Sequence, residues 1–461
     1  MPLILPGNVG SATAGGFNVD NSLRFNPGSS DYLNVTQSSG TSDIKGTFSA
    51  WIKGNHSNSI FSGHTDSNNR IALYFSDSLR IYGAISGSQS VYLITTQLFR
   101  DPNAWYHIVV AWDTNQGTDT NRFKVYVNGL QVTSFSTAAY PNQDVDVYWN
   151  KGTDITVGAR YVSSVSDFFD GYMAETVLID GLQLAPTSFG EFDSDSGIWK
   201  PIDVSGLTFG TNGFYLEFKQ SGTSANASGM GADTSGNTNH FTVNNLTAVN
   251  QSIDTCINNF ATLNPLKFIA GAFSEGNLKF TGIASNWKNR YSTIGVSSGK
   301  WFMEFKMGSV SNDESGVAIV SDITPDGNFP GIDSTRVPAI AYNSDGSKQV
   351  NNSASSGYFS AMATNDIIGI ALDMDNGTVQ FYRNGSTTGS AIDLSDGFST
   401  SQYPLFFCGA VYGTRNIQAN FGSPPYSESG GNSDGDGFGN FSMAVPSGYF
   451  ALNTKNLAEY G

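Results

Sequence analysis

The chain has 461 residues, of which 39% are hydrophobic and 13% aromatic, so it can build more than one buried core. Only 13% of the residues are charged, about half the usual share of a soluble domain, and the formal net charge is −16. No run rich in Lys or Arg could meet a phosphate backbone or an anionic bilayer, which argues against nucleic acids and lipid headgroups as partners.

The N-terminal stretch MPLILPGNVGSATAGGF lacks the basic region and the long apolar run of a secretory leader. No segment approaches the roughly 18 apolar residues of a membrane helix, so membrane insertion is not expected. We expect residues 1–18 to form an attachment arm, because the apolar LILPG sequence can add to the sheet edge of a neighbouring protein.

Alternating apolar and polar residues, with many β-branched and aromatic side chains, predict antiparallel strands through the first half of the chain. Turns rich in Gly, Asn, Asp and Ser separate these strands, as in sandwiches and jelly rolls. The predicted strands are FSAWIKG (48–54), RIALYFS (70–76), LRIYGAI (79–85), WYHIVVAWD (105–113), RFKVYVNG (122–129), DITVGAR (154–160) and GYMAETVLIDG (171–181).

From residue 205 to 265 the alternation weakens and Gly, Ser and Asn dominate, so we expect a bridge there. A second strand-rich stretch covers 266–422, and residues 423–461 form a C-terminal extension. The sequences KVYVNG (124–129) and QFYRNG (380–385) each follow an apolar strand that ends in Asp. They predict the same hairpin twice, with Asn-Gly at positive φ.

Residues 19–204 resemble a laminin-G-like domain of the concanavalin A type. The resemblance is carried by SLRFNPGSSDYL (22–33), TFSAWIKG (47–54), WYHIVVAWD, KVYVNG, ITVGAR (155–160) and FFDGYMAETVLIDGLQL (168–184). Residues 266–422 resemble a SPRY domain. That resemblance is carried by SSGKWFMEFKM (297–307), GVAIVS (316–321), NDIIGIALDMDNGTVQFYRNG (365–385) and YPLFFCGAVYG (403–413). Together they imply an all-β chain of two concanavalin-like antiparallel sandwiches, or jelly rolls, joined by a bridge rich in Gly, Ser and Asn.

The whole arrangement resembles tail-fibre and other virion structural proteins of marine bacteriophages, through MPLILPGNV (1–9), CINNFATLNPL (256–266) and PSGYFALNTKNL (446–457). It implies a tail fibre, tail tip or head decoration, made in the host cytoplasm and displayed on the virion surface. The expected partners are other virion proteins and host cell-surface polysaccharide, and a homotrimer is expected because fibre-like virion parts often are trimers. A secreted bacterial adhesin is an alternative.

Two aromatic clusters are candidates for glycan binding, because rings stack on the apolar faces of sugars while polar groups bind the hydroxyls. They are Tyr148, Trp149 and Asn150 in DVDVYWNKG, and Trp287, Arg290 and Tyr291 in SNWKNRYS. The alternative is that these rings cap the sandwich edges or face a partner subunit.

The laminin-G resemblance also implies a candidate calcium site at one end of the sandwich, and no other cofactor is predicted. Its candidate ligands are Asp113, at the end of a strand, with Asp66 or Asp170 from other loops. The sequence SDGDGFGN (433–440) lacks the spacing and the closing Glu of an EF-hand loop, so we expect a turn there.

A carbohydrate depolymerase or glycoside hydrolase is the second alternative, since laminarinase-type glucanases share the sandwich and carry the sequence E-x-D-x-x-E. The nearest match, EFDSDS (191–196), ends in Ser196. Glu175 has no carboxylate two or four residues further on, and we expect it to form a structural hydrogen bond. His107 is expected at the edge of the core rather than as a base. A non-enzymatic protein is therefore expected.

Overall fold

The computed structural model describes residues 16–54, 58–266, 271–283, 286–310, 314–321, 326–332, 338–428 and 430–461. The described residues form two compact units, divided between Ile257 and Asn258. Antiparallel sheets dominate both units, and the predicted all-β class is confirmed. Among the described residues, no helix is long and apolar enough to cross a lipid bilayer.

The first unit is built from twenty strands and three short 3₁₀ helices among its described residues. The strands are β1 Ser22–Phe25, β2 Tyr32–Thr36, β3 Lys45–Gly54, β4 Asn58–Asp66, β5 Asn69–Phe75, β6 Leu79–Ile85, β7 Ser88–Thr95, β8 Tyr106–Asp113, β9 Phe123–Val127, β10 Leu130–Gln131, β11 Phe135–Ala139, β12 Asp154–Val157, β13 Arg160–Tyr161, β14 Val165–Ser166, β15 Gly171–Asp180, β16 Gly190–Phe192, β17 Trp199–Pro201, β18 Phe214–Leu216, β19 Thr242–Asn244 and β20 Gln251–Ser252. The 3₁₀ helices are Asp119–Asn121, Pro186–Ser188 and Ala248–Asn250.

Two large sheets enclose the core of the first unit. Sheet 1 has the order β10-β9-β8-β3-β15-β1-β20, with β18 also paired to β15, and sheet 2 has the order β11-β7-β6-β5-β4-β12-β2-β19. Strand β3 shows the alternation that builds them: Phe48, Ala50 and Ile52 enter the core between the sheets, whereas Ser49 and Trp51 point to the opposite face.

The structure places residues 205–257 in the first unit and not in a bridge. Strand β18 pairs with β15, β19 with β2, and β20 with β1, so this segment contributes to both sheets. Phe214, Met230 and Phe241 are fully buried in the core. A few irregularly spaced apolar residues therefore hold this segment in the core, although its sequence, rich in Gly, Ser and Asn, shows no strand periodicity.

The second unit also consists of two large sheets. Its strands are β21 Ala272–Ser274, β22 Lys279–Thr281, β23 Trp287–Tyr291, β24 Lys300–Met307, β25 Ser315–Val320, β26 Ala339–Asn343, β27 Lys348–Val350, β28 Ser353–Ser355, β29 Ile367–Asp373, β30 Thr378–Arg383, β31 Ser386–Thr387, β32 Ile392–Asp393, β33 Phe406–Tyr412, β34 Asn416–Asn420 and β35 Phe450–Ala451. Two 3₁₀ helices, Leu394–Asp396 and Thr400–Gln402, and the helix α1 Thr454–Tyr460 complete it. Sheet 3 has the order β21-β22-β34-β24-β29-β30-β31, and sheet 4 the order β23-β33-β25-β26-β27-β28.

The predicted C-terminal extension 423–461 packs on sheet 3. Strand β35 runs parallel to β24, and the rings of Phe302 and Phe441 lie 5.2 Å apart. Glu304, fully buried on the same strand, accepts hydrogen bonds from the amides of Ser442 at 3.1 Å and Met443 at 2.9 Å. The extension therefore belongs to the folded second unit.

The two Asn-Gly hairpins form as predicted. Asn128 and Gly129 have φ values of 48° and 79°, and Asn384 and Gly385 have 49° and 84°. Positive φ at both central residues defines the two-residue turn that matches the twist of paired strands. The repeated motif therefore marks similar hairpins, β9–β10 and β30–β31, in the two sandwiches.

Candidate functional site

Sheet 2 has one face in the core and one face turned away from it. Along β5, Ile71, Leu73 and Phe75 are core residues, while Arg70 and Tyr74 alternate with them. The same alternation recurs on β6 and β7, because consecutive side chains of a strand point to opposite faces. Aromatic and basic side chains are thereby collected on the outer face of three neighbouring strands.

We call this surface the tyrosine–arginine face. It comprises Arg70, Tyr74, Arg80, Tyr82 and Tyr92, with Arg160 and Tyr161 from the hairpin β13–β14. The strand register places Tyr82 directly opposite Tyr92, and Tyr74 directly opposite Arg80. Residues opposite each other in an antiparallel pair lie close enough to act on one ligand.

The rings and guanidinium groups of this face are stacked on each other. Arg80 lies 4.0 Å from the ring centre of Tyr74, and Arg160 approaches the same ring at 5.6 Å. Arg70 lies 5.7 Å from the ring centre of Tyr82, whose ring meets that of Tyr92 edge-to-face at 5.6 Å. Tyr74 is buried beneath the arginines, whereas Tyr82 and Tyr92 are half-buried and reach solvent. These contacts hold long side chains in place before a ligand arrives.

Polar side chains continue the face across the rest of sheet 2. His64 stands opposite Arg70 on one side and Asp154 on the other, and its ring stacks on Tyr161 at 3.9 Å. Burial lowers the pKa of His64, against the opposing effect of Asp154, so the ring is neutral at pH 7. The hydroxyl of Thr36 donates to Asp154 at 2.5 Å. Donors and acceptors therefore flank the aromatic part of the face.

This arrangement has the chemistry of a carbohydrate-binding surface. The half-buried rings of Tyr82 and Tyr92 offer apolar faces for sugar C–H groups, and Arg70 and Arg80 offer planar forks of N–H donors. Sugar hydroxyls need such donors and acceptors beside an aromatic platform. The face could therefore bind an extended glycan across β5, β6 and β7.

The first predicted glycan cluster lies in the core and not on the surface. Trp149 is fully buried, with its ring 5.4 Å from Phe61 and 5.2 Å from Trp112. Asn150 is also fully buried and donates to the carbonyl oxygen of Lys45 at 2.8 Å. Tyr148 is only 9% exposed. The flanking Asp and Gly residues resemble an exposed loop in the sequence, but the loop turns inward to fill the end of the core.

The second predicted cluster is divided by the pleat of β23. Arg290 is fully buried, lies 4.1 Å from the ring centre of Phe280, and pairs with Asp326 at 2.9 Å. Tyr291 is 1% exposed. Trp287 is half-buried and packs on Phe329 at 4.9 Å. Of the six predicted residues, five are buried and only Trp287 is half-buried.

The three candidate calcium ligands do not form one cluster. Asp113 is bound by Gln116 at 2.8 Å and pairs with Lys45 at 3.0 Å, and these contacts lower its pKa despite partial burial. Asp66 is exposed and accepts from the amide of Asn68 at 2.7 Å, and Asp170 is buried elsewhere. Within the described residues, no three His, Cys, Asp or Glu side chains stand close enough together to hold a metal ion.

His107 lies on the face of sheet 1 opposite the core, beneath the segment that contains Trp199. Its Nδ1 accepts the indole N–H of Trp199 at 2.9 Å, and its Nε2 lies 2.9 Å from the hydroxyl of Ser49. A Trp indole can only donate, so the neutral ring carries its proton on Nε2 and donates to Ser49. Burial lowers the pKa of His107 to about 3. This pair therefore lacks the free basic nitrogen that would activate a serine.

Glu175 lies beside this pair, at a bulge in β15 where its own φ is 48°. Burial raises the pKa of its carboxyl to about 7, and the hydroxyl of Tyr215 is its hydrogen-bond partner. The predicted structural hydrogen bond of Glu175 is therefore confirmed. The small pocket that Glu175 shares with His107 and Ser49 measures about 10 Å³, room for roughly one water molecule and not for a sugar ring.

Arg70, Tyr74, Arg80 and Tyr82 lie in strands that the sequence predicts, but the sequence does not indicate a site there, and β7, which carries Tyr92, is not among the predicted strands. RIALYF and LRIYGAI alternate apolar core residues with Arg and Tyr, so both outward sets could have been read from the pattern. What the sequence does not provide is the register that sets Tyr82 opposite Tyr92.

Comparison with protein families assigns both sandwiches. Residues 27–182 match the Laminin_G_3 family, described as the concanavalin A-like lectin/glucanases superfamily, and residues 304–424 match the SPRY domain. The chain contains a laminin-G-like domain and a SPRY domain. Both expected domain resemblances are thus confirmed, and a concanavalin-like domain followed by a SPRY domain fits a binding role. No curated protein matches the chain.

Solved structures with related folds match parts of the chain. The SPRY domain of human HERC1 is 18% identical over 34% of this chain and 96% of its own, with a TM-score of 0.28. A heptameric SAP-like pentraxin from Limulus polyphemus is 18% identical over 37% of this chain and 80% of its own, with a TM-score of 0.29. A protein from Bacteroides ovatus, assigned provisionally as carbohydrate-binding, is 16% identical over 50% of this chain and 59% of its own, with a TM-score of 0.34.

Proposed function

We propose that this protein is a non-enzymatic bacteriophage virion structural protein that attaches to other virion proteins and binds host-surface glycans. The observation that carries glycan binding is the pairing of Tyr82 with Tyr92 beside Arg70 and Arg80 on the open side of sheet 2. The laminin-G-like domain would hold the glycan, and the virion would present this domain at its surface.

The lectin half of the family description supports a sugar-binding role for the first unit. The virion assignment is supported by the resemblance of residues 256–266 and 446–457 to phage structural proteins. Within the second unit these two stretches pair, since Phe260 forms a β-bridge with Asn453. A homotrimer remains our expectation, and a monodisperse monomer at high concentration in analytical ultracentrifugation would count against it.

The non-enzymatic assignment is supported by the two candidate catalytic groups of sheet 1. His107 uses Nδ1 to accept from Trp199, and Glu175 is bound by a tyrosine hydroxyl, not by a second carboxylate. Glycoside hydrolysis generally needs two carboxyl groups on opposite sides of the bond. Release of reducing sugar from host polysaccharide, lost in Glu175→Gln, would contradict this assignment.

The virion role is tested by labelling purified particles with an antibody against residues 266–422 and imaging them by electron microscopy. Label at tail or fibre tips would support host attachment, and even label over the head would support capsid decoration. Particles without label would contradict the virion role and favour the secreted-adhesin alternative. A glycan array probed with the purified chain tests the sugar-binding part independently of where the protein resides.

A further inference from the structure

Among the described residues, two arginines of the tyrosine–arginine face lack the direct carboxylate partner that the third arginine has. Arg160 pairs with Asp167 at 2.7 Å, whereas neither Arg70 nor Arg80 forms an ion pair with a described residue. Both are half-buried on a chain of net charge −16, which carries 39 acidic residues. Guanidinium groups without a direct carboxylate partner in the described chain, on so acidic a protein, are placed for an external anion.

The position of Arg80 supports the same conclusion. Its guanidinium lies 4.0 Å from the ring centre of Tyr74, and its Nε is buried without a hydrogen-bond partner among the described residues. Partial loss of water strengthens the attraction between a guanidinium and an anion, and the planar fork can bind a carboxylate or sulfate with two bonds. The stacking fixes the plane of the fork before the anion arrives.

We propose that the tyrosine–arginine face binds an anionic polysaccharide, in which carboxylate or sulfate groups contact Arg70 and Arg80 while sugar rings stack on Tyr82 and Tyr92. This inference rests on the proposed glycan-binding function and names the ligand class. The register pairs Arg80 with Tyr74 and Arg70 with Ala84, so the two arginines lie on adjacent strands four residue positions apart along the strand direction, about 13 Å. An extended polysaccharide, and not a single sugar, is therefore needed to contact both.

The net charge of the chain decides how this proposal is tested. A charge of −16 repels a polyanion at long range, while the arginines attract it at short range, so added salt screens two opposing effects. Salt dependence is therefore ambiguous. Polymers that differ only in their charged groups, and variants that differ by one charge, separate the local contact from the overall field.

The experiment measures binding of the full chain by affinity electrophoresis to two matched pairs of polymers. Polygalacturonate is compared with its fully methyl-esterified form, and dextran sulfate with dextran. Arg70→Gln and Arg80→Gln each remove one charge from the face, and Lys124→Gln on β9 of sheet 1 removes one charge elsewhere in the same unit. Arg80→Lys keeps the charge without the fork, and thermal midpoints establish that each variant is folded.

We expect the charged member of at least one pair to bind about tenfold more tightly than its neutral counterpart. Each Arg→Gln variant should lose about tenfold in affinity, Arg80→Lys should lose less than Arg80→Gln, and Lys124→Gln should bind as the natural chain does. A difference within the polygalacturonate pair indicates carboxylate recognition, and a difference within the dextran pair indicates sulfate recognition.

Equal binding of charged and neutral polymers, or equal loss in Arg80→Gln and Lys124→Gln, would overturn the anionic-ligand inference and leave glycan binding standing. Binding only to neutral glycans on the array would have the same meaning. If neither these polymers nor any arrayed glycan binds the folded chain, both the inference and the proposed glycan-binding function fail.

Discussion

Trp199 donates its indole N–H to Nδ1 of His107 across 2.9 Å, and this bond fixes the proton of the imidazole on the other nitrogen. His107 therefore donates to Ser49 and cannot take its proton. The ring also stacks on Trp51 at 4.8 Å and is 1% exposed. A Ser–His contact of 2.9 Å here is part of the packing of a sheet face and lacks the features of a nucleophilic site.

The buried His107 predicts a loss of stability in acid. Burial holds its folded-state pKa at about 3, below the ordinary histidine value of 6.5, so the folded chain binds this proton less readily than the unfolded chain. The stability it contributes is complete above pH 6.5 and falls as the pH drops towards 3. The expected slope is about 1.4 kcal/mol of unfolding free energy per pH unit.

The measurement is urea denaturation of the natural chain and of His107→Gln between about pH 7 and pH 4.5, the upper part of the window in which this histidine changes its contribution. Glutamine can accept from Trp199 and donate to Ser49 without titrating, so its curve should lack this slope. Glu175 and Glu304 act in the opposite sense. Burial raises the pKa of each carboxyl from 4.5 to about 7, so each protonated carboxyl stabilises the fold at low pH, and this contribution is lost as the pH rises through 7. Parallel pH curves for the two proteins would contradict the role assigned to His107.

The ion pair between Lys53 and Asp254 predicts that residues 205–257 are essential to the first unit. Nζ of Lys53 lies 2.7 Å from a carboxylate oxygen of Asp254, and the two side chains are 0% and 2% exposed. The indole N–H of Trp105 donates to the same carboxylate at 3.2 Å. Asp254→Ala leaves a buried ammonium without its carboxylate, and should cost about 3–5 kcal/mol of unfolding free energy. Asp146→Ala, which breaks the half-exposed pair with Lys151, should cost about 1 kcal/mol or less. Both variants are measured by urea denaturation. A similar loss of unfolding free energy in both would contradict the prediction that residues 205–257 are an integral part of the first unit.

Glu304 predicts how the C-terminal extension is held. Its two oxygens accept from three donors, the amides of Ser442 and Met443 and the side chain of Asn420. A glutamine side chain has only one acceptor oxygen. In Glu304→Gln its NH₂ group would therefore point at one of the N–H donors, which should cost about 1–3 kcal/mol of unfolding free energy. Hydrogen exchange at the amides of Ser442 and Met443 should accelerate in this variant. Glu314→Gln, at a partly exposed pair with Arg415, is the control and should leave these amides protected.

Strand patterns, hairpins and domain classes could be predicted from the sequence, because alternation and Asn-Gly turns are local properties. The anchors Phe214, Met230 and Phe241 could not, because they are spaced irregularly and gain meaning only from the core that they enter. Trp149 shows the converse problem. A Tyr-Trp-Asn loop has the same composition whether it faces sugar or, as here, packs on Trp112.

The contacts of Asp113 predict that chelation leaves the first unit unchanged. Its carboxylate accepts from Gln116 and from the amide of Asn115, and the ammonium of Lys45 lies 3.0 Å away. A cation beside the carboxylate disfavours a second one, so EDTA should not shift the thermal midpoint, and added CaCl₂ should not raise it. A calcium-dependent rise of several degrees, lost in Asp113→Asn, would restore the candidate calcium site.

The central claim is that the first unit binds glycans through the tyrosine–arginine face, and the most direct measurement is titration calorimetry with the glycan that an array identifies. The comparison uses the natural chain, Tyr82→Ala combined with Tyr92→Ala, and Trp287→Ala in the second unit. The claim predicts that the tyrosine variant loses at least tenfold in affinity, about 1.4 kcal/mol, while Trp287→Ala binds normally. Unchanged affinity in the folded tyrosine variant would contradict it, and lost affinity in Trp287→Ala would move the binding surface to the SPRY domain.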